Sequence, residues 1–339
     1  MCEGSSDRGF ERVRRRLASA RSLLVLSHAR PDGDALGSMI ALAIAARAAG
    51  REVRLLLPDG STERYAFLRE GWEIAEPERF GELADAVELV VIVDTCSFRQ
   101  LDEMEGALRE RRDKIVVVDH HATRDDVSDD AWVDVSAAAA GVMAGELIEA
   151  LGWPVDPPTA EALATAVLTD TGWLRFSNTD GRCLRQVARW VDSGVRPDAL
   201  YRRIYQNDRP RRLALLARML DGMELRADDR LAVMTIRRAD FEATGAKTYE
   251  TENLINEALR IATVEMAVLL VEHPEVVRVS LRSREAIDVS EIASRFGGGG
   301  HARAAGLRLE EDIDALKARI VETCEKALGN VESPMLNGE

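Results

Sequence analysis

Leu23-Leu24-Val25-Leu26-Ser27-His28-Ala29-Arg30-Pro31-Asp32-Gly33-Asp34 is the stretch whose reading decides the fold of the first half of the chain. Its first four residues are continuously apolar, too few for a helix and without alternation, which is the pattern of a strand buried on both faces. Pro31 and Gly33 end the run in a loop, and Ala35 to Ala49 then reads as a helix closed by Gly50. Val53 to Leu57, Leu89 to Val93 and Ile115 to Val118 are further short β-branched runs, with helical stretches between most of them. This alternation predicts an α/β fold, a mostly parallel sheet flanked by helices.

Helices are also predicted over Ala138 to Ala150 and Thr159 to Thr169, and Arg182 to Asp229 reads as an arginine-rich helical connector. Beyond it, the strand-like runs Leu231 to Ile236, Val264 to Val271 and Val276 to Leu281 lead to a helix over Ile313 to Leu328, a second and smaller α/β unit. A length of 339 residues fits two domains. The four cysteines form no Cys-x-x-Cys pair, which argues against zinc ribbons and disulfide frameworks and fits a reducing cytosol. The apolar run Leu23 to Leu26 is far too short for a signal segment or a membrane span, so a cytoplasmic protein with no membrane partner is expected. A net charge of −14 opposes binding to long nucleic acid, duplex included.

Three strand-like runs end in acidic or histidine-bearing loops: His28, Asp32 and Asp34 after the first, Asp94 after the third, and Asp119, His120 and His121 after the fourth. Ligands of open α/β sheets bind outside the carboxyl ends of the strands, so these loops should converge. Asp170, at the end of a predicted helix, is a further candidate for the same place. Alone, Pro31-Asp32-Gly33-Asp34 could be a turn with a helix-capping aspartate, and Asp94 a strand-end cap. Together, so many carboxylates and imidazoles would repel unless cations lay between them. Oxygen and imidazole donors without thiolate suit manganese, magnesium or iron better than structural zinc, and their number suits two ions. A pair of ions can activate water and stabilise the entering and leaving oxygens of a phosphoryl transfer.

A second cluster is Phe296-Gly297-Gly298-Gly299-Gly300-His301-Ala302-Arg303. Its glycines could bring backbone amides close to an anion, with His301 and Arg303 adding donors; a flexible linker is the plain alternative. Gly297 also reads as the terminator of a helix begun at Asp288. Arg282 and Ser283, at the end of a predicted strand, could supply a guanidinium and a hydroxyl to a phosphate or a base.

The segments Ser27-His28-Ala29-Arg30-Pro31-Asp32-Gly33-Asp34, Val93-Asp94-Thr95, Asp119-His120-His121 and Thr169-Asp170-Thr171-Gly172, in this order, resemble the four motifs of the DHH phosphoesterases. Ser280-Leu281-Arg282-Ser283 and the Gly-Gly-Gly-His stretch resemble the DHH-associated C-terminal domain. Within that family the chain looks most like the bacterial nanoRNase and pAp phosphatase group. The resemblance implies that His28, Asp32 and Asp94 hold one manganese ion, and Asp34, Asp94, His120 and Asp170 a second, with magnesium or cobalt as possible substitutes. It implies that His121 is a general acid or charge stabiliser oriented by Asp119, and that Arg282, Ser283, Gly298, Gly299, Gly300, His301 and Arg303 bind substrate across a cleft between the domains. The expected division is a catalytic metal-binding domain over 1–185, the connector over 186–229, a substrate-binding domain over 230–328 and a disordered tail over 329–339. The implied activity is hydrolysis of very short RNA, two to five nucleotides long, and of the 3′-phosphate of pAp, by a possible homodimer. A phosphodiesterase acting on cyclic di-AMP or its linear dinucleotide is the alternative, and a nucleotide-binding regulator without catalysis is a third reading.

Overall fold

A computed structural model of the chain describes residues 3–58, 63–284 and 287–329. It divides into two compact units, Met1–Asn207 and Asp208–Glu339. The first runs α1 (Glu3–Ser19), β1 (Ser22–Leu26), α2 (Gly33–Ala48), β2 (Glu52–Leu56), β3 (Ile74–Ala75), α3 (Phe80–Asp85), β4 (Leu89–Val93), α4 (Glu105–Arg109), β5 (Ile115–Asp119), β6 (Asp130–Val133), α5 (Ala140–Ala150), α6 (Pro157–Asp170), α7 (Gly181–Asp192) and α8 (Pro197–Tyr205). Its strands form one sheet in the order β3-β2-β1-β4-β5-β6, every pair parallel, as the sequence predicts.

The continuous apolar runs have a simple cause: each strand feeds two cores. Leu23, Val25, Val91, Val116 and Val118 point into the layer of α2, α5 and α6, whereas Leu24, Leu26, Val90, Ile92 and Val117 point the other way, towards Phe80, Leu83 and Leu108. The chain runs outward from β1 through β2 to β3, then returns to place β4 on the other side of β1. That reversal opens a crevice at the carboxyl ends of β1 and β4, where loops are not crowded by a crossover helix.

The second unit runs α9 (Pro210–Asp221), β7 (Glu224–Arg226), β8 (Leu231–Ile236), α10 (Arg238–Thr244), β9 (Met266–Glu272), β10 (Val277–Ser283), α11 (Val289–Ser294), β11 (Gly299–His301), β12 (Ala304–Leu309) and α12 (Ile313–Gly329). Its sheet has the order β11-β12-β10-β9-β8-β7 and is mixed, with β8 and β9 parallel and the other pairs antiparallel. The helical connector expected over 186–229 is divided between the units. Trp190, Leu200 and Ile204 of α7 and α8 pack into the first core, and Leu215 and Met219 of α9 into the second. The tail from 330 onward lies outside the described residues. Cys96, Cys183 and Cys324 are buried and unpaired, and no helix among the described residues is long and apolar enough to cross a membrane.

Candidate metal centre

The loops after β1, β4 and β5 meet at the crevice. Ala29 N–H donates to the Gln100 carbonyl at 2.8 Å and Asp125 N–H to the Cys96 carbonyl at 2.7 Å, so the β4 loop is tied to both neighbours. Asp32 caps α2: its Oδ1 accepts from the backbone N–H of Asp34 at 2.9 Å and of Ala35 at 3.0 Å. Asp34, one residue inside that helix, is buried and caps a different one. Ala139, at the start of α5, has no side chain to do so, and Asp34 accepts from Ala140 N–H at 2.7 Å (Oδ2) and from Gly141 N–H at 2.8 Å (Oδ1). Both aspartates therefore serve the fold as well as the site.

Asp94, only 2% exposed, follows β4 in the left-handed backbone region at φ 61°. Asparagine and aspartate tolerate that conformation better than other side-chain-bearing residues, and such strain collects at functional sites. His28 Nε2 stands 3.5 Å from Asp94 Oδ2, and His120 Nε2 stands 3.3 Å from Asp94 Oδ1. The same His120 nitrogen is 3.7 Å from Asp34 and 4.0 Å from Asp170. His121 Nδ1 lies 2.8 Å from Asp119 Oδ1, which also accepts from the His121 backbone N–H at 3.2 Å. Three sets of donors result: His28, Asp32 and Asp94; Asp34, His120 and Asp170; and Asp94, His120 and His121, each with its ligand atoms within 4.8 Å of one another.

The arrangement suits cations on chemical grounds. A carbonyl only accepts, so His28 Nδ1 donates to Ala29 O at 2.9 Å and His120 Nδ1 to Ala137 O at 3.2 Å. In a neutral ring, Nε2 is then a bare lone pair aimed at carboxylate oxygens, and lone pairs facing anions repel. Asp94 Oδ1 is moreover buried with no hydrogen-bond partner. Either protons or metal ions must lie between these atoms.

Without metal, the electrostatics show the same conflict. Burial pushes the His28 pKa down, but Asp94 beside it wins and holds it at about 9. His120 is likewise raised against its burial by Asp94 and Asp34. Burial pushes Asp94 up, but the two imidazoles hold it well below the usual carboxylate range. Asp34 is raised by burial and by the charges of Asp94 and Asp170. Asp170 is pushed up to about 7, chiefly by burial. Asp32 is exposed at the rim, yet desolvation by its surroundings and the nearby Asp94 charge raise it too. So much mutual perturbation in one crevice marks a functional site.

The second cluster is more structural than its sequence suggests. Gly299 and Gly300 pair with Gly306 and Ala305 as β11 against β12. A side chain on Gly298 would meet the Leu307 Cβ at 2.6 Å, and one on Gly300 the Ala304 carbonyl at 2.5 Å, so close packing alone requires these glycines. Gly297, at φ 75°, ends α11. The Ser283 hydroxyl donates to Ile287 O at 2.6 Å and Arg303 Nη1 to the same carbonyl at 2.7 Å. Arg282 donates only to its neighbour's carbonyl, Leu281 O, among the described residues, and burial lowers its pKa. The His301 side chain lies outside the described residues.

Sequence reasoning missed the supports. Ser38 Oγ donates to Asp34 Oδ1 at 3.1 Å, and Thr95 Oγ1 to Gln100 Oε1 at 2.5 Å. Gly33, Gly37 and Gly141 let α2, α5 and α6 approach closely; on Gly37 a Cβ would stand 2.6 Å from Ala162 O. The glycines at 33, 37 and 141 were the available signal, since glycine inside helices marks close approach.

A parallel sheet with this strand order, bearing aspartates and histidines at its carboxyl edge and followed by a separate mixed-sheet unit, defines a class. The model of the DHH family N-terminal domain matches residues 22–169 and that of the DHHA1 domain residues 228–326. The chain thus carries a DHH-family N-terminal domain and a DHHA1 domain, and is a phosphoesterase. More particularly, it is similar to the bifunctional oligoribonuclease and PAP phosphatase NrnA of Thermus thermophilus, 29% identical over 90% of each chain. The protein of the same name from Bacillus subtilis is 24% identical over 90% of this chain and 95% of that one. The crystal structure of an exopolyphosphatase-related protein from Bacteroides fragilis shares the fold, with a TM-score of 0.88, 21% identity and 96% of each chain covered.

Proposed function

We propose that the protein hydrolyses phosphoester bonds of very short oligoribonucleotides and removes the 3′-phosphate of pAp, using two divalent cations, manganese by preference. The carrying observation is the Asp94 carboxylate, set between His28 Nε2 and His120 Nε2 at 3.5 and 3.3 Å. The similarity to oligoribonuclease and PAP phosphatase enzymes over nearly the whole chain supports the substrate class.

In this reading His28, Asp32 and Asp94 hold one cation, and Asp34, Asp94, His120 and Asp170 the other. Asp34 Oδ2 accepts a single backbone hydrogen bond, which leaves it a lone pair for this purpose. When bound, the cations supply Lewis-acid polarisation of phosphoryl oxygens and lower the pKa of water. Asp119 fixes the His121 ring through Nδ1 and stabilises its charged form. Burial pushes the His121 pKa down, yet Asp119 and Asp94 raise it, so this imidazole is suited to carry a proton to the leaving oxygen from Nε2.

The test is hydrolysis of pAp, a short RNA series and cyclic di-AMP by the purified protein, with manganese and with chelator. Manganese-dependent release of phosphate from pAp and of mononucleotides from the shortest RNAs is expected. Cleavage of cyclic di-AMP alone would move the function to dinucleotide signalling. Asp94→Ala should lose both bound metal and turnover, a fall of about 10³-fold or more given the size of the electrostatic contribution at stake; near-normal activity with full metal occupancy would overturn the site.

A further inference from the structure

The protein carries a charge of −14, and its crevice is lined with carboxylates, so an anionic substrate meets repulsion on approach. Three exposed arginines border that crevice: Arg30 between His28 and Asp32, Arg99 in the β4 loop and Arg124 just after His121. The backbone brings their loops together. Ala29 N–H donates to Gln100 O at 2.8 Å, which joins the residues next to Arg30 and Arg99. Phe98 N–H donates to Asp125 Oδ2 at 2.8 Å and Ser97 Oγ to the same oxygen at 2.9 Å, which joins the residues next to Arg99 and Arg124.

None of the three guanidiniums has a carboxylate partner among the described residues. Asp125, the nearest acid in sequence, is engaged by Phe98 and Ser97, and Asp126 pairs with Arg112. Arg30 also holds a left-handed backbone at φ 55°, which a side-chain-bearing residue adopts at a cost.

We propose that Arg30, Arg99 and Arg124 form a phosphate-binding rim on the first unit, which holds a substrate phosphate other than the one being cleaved. This rests on the phosphoesterase reading above. The scissile phosphate must reach the buried Asp94 and the half-buried His120, whereas the three exposed guanidiniums lie outside that cluster and match phosphate oxygens in geometry. A local positive rim on an acidic protein also steers the substrate, because clefts focus field lines. It makes the enzyme select substrates with a second phosphate beside the cleaved bond, as in a nucleoside bisphosphate or an oligonucleotide.

The test is fluorescence anisotropy of the full-length, manganese-loaded protein with a labelled pentaribonucleotide whose linkages are phosphorothioate, over a series of salt concentrations. Arg99→Gln with Arg124→Gln should weaken binding about tenfold and flatten the log Kd against log salt slope by about 0.7, the contribution of the one single-strand phosphate that the rim holds. Arg99→Lys with Arg124→Lys should keep most of the slope. If the double glutamine variant fails to fold by circular dichroism, Arg124→Gln alone should show about half the change in slope. Unchanged affinity and slope in the glutamine variants overturn the rim. Turnover of the unmodified pentanucleotide is scored in parallel. Arginine-dependent binding without turnover sinks the short-RNA hydrolase reading and keeps the rim; turnover with arginine-independent binding does the reverse.

Discussion

At the scale of single residues, Asp94 combines two unfavourable states, a left-handed backbone and a buried carboxylate oxygen without a hydrogen bond. Asp34 shows the opposite economy, with both oxygens occupied by the start of α5 and by Ser38. Asp34→Ala should therefore destabilise the protein even when metal is absent, by about 1–2 kcal/mol as for other lost helix caps. Urea unfolding in chelator measures this, and an unchanged midpoint would show that the cap contributes nothing. The candidate ligands were legible because ionisable residues cluster at the ends of apolar runs, where packing has no use for them. That Asp34 caps α5 was not legible, because a helix 106 residues further on supplies the donors. Nor was the commitment of the Ser283 hydroxyl to the carbonyl of Ile287, four residues further on.

At the scale of elements, β1, β4 and β5 could be read from the sequence because two cores demand an apolar residue at every position. α1 could not. Among its described side chains it presents Phe10, Val13 and Leu17 inward from a polar, arginine-rich helix, and the Phe10 and Trp132 rings meet edge to face at 4.9 Å. β6 buries Trp132 alone, and β11 is a glycine strand defined by its partner and not by side chains. The glycine seam between α2, α5 and α6 is what sets the distance between Asp34 and Asp170. Gly37→Ala should cost about 1–3 kcal/mol by overpacking and weaken metal binding, because it pushes α2 away from α6. Isothermal titration with manganese checks this; full affinity in a destabilised variant would separate packing from site geometry.

At the scale of the whole molecule, each of the two units, Met1–Asn207 and Asp208–Glu339, has two buried apolar clusters of its own among the described residues. The fragment 1–207 should fold alone and, since it holds every candidate ligand, be stabilised by manganese. At a hundredfold excess over Kd the gain is ~2.7 kcal/mol, readable as a thermal shift that chelator reverses. A fragment that folds without any such shift would place an essential ligand elsewhere. The double duty of Asp32 and Asp34 as helix caps has a consequence for descent. In a lineage released from catalysis, drift would be opposed at both positions by the need to fold, whereas the Asp170 side chain caps no helix among the described residues and could vary freely. The Pro-Asp-Gly-Asp signature would thus outlive the activity it advertises, and the first trace of a retired enzyme would be found at Asp170.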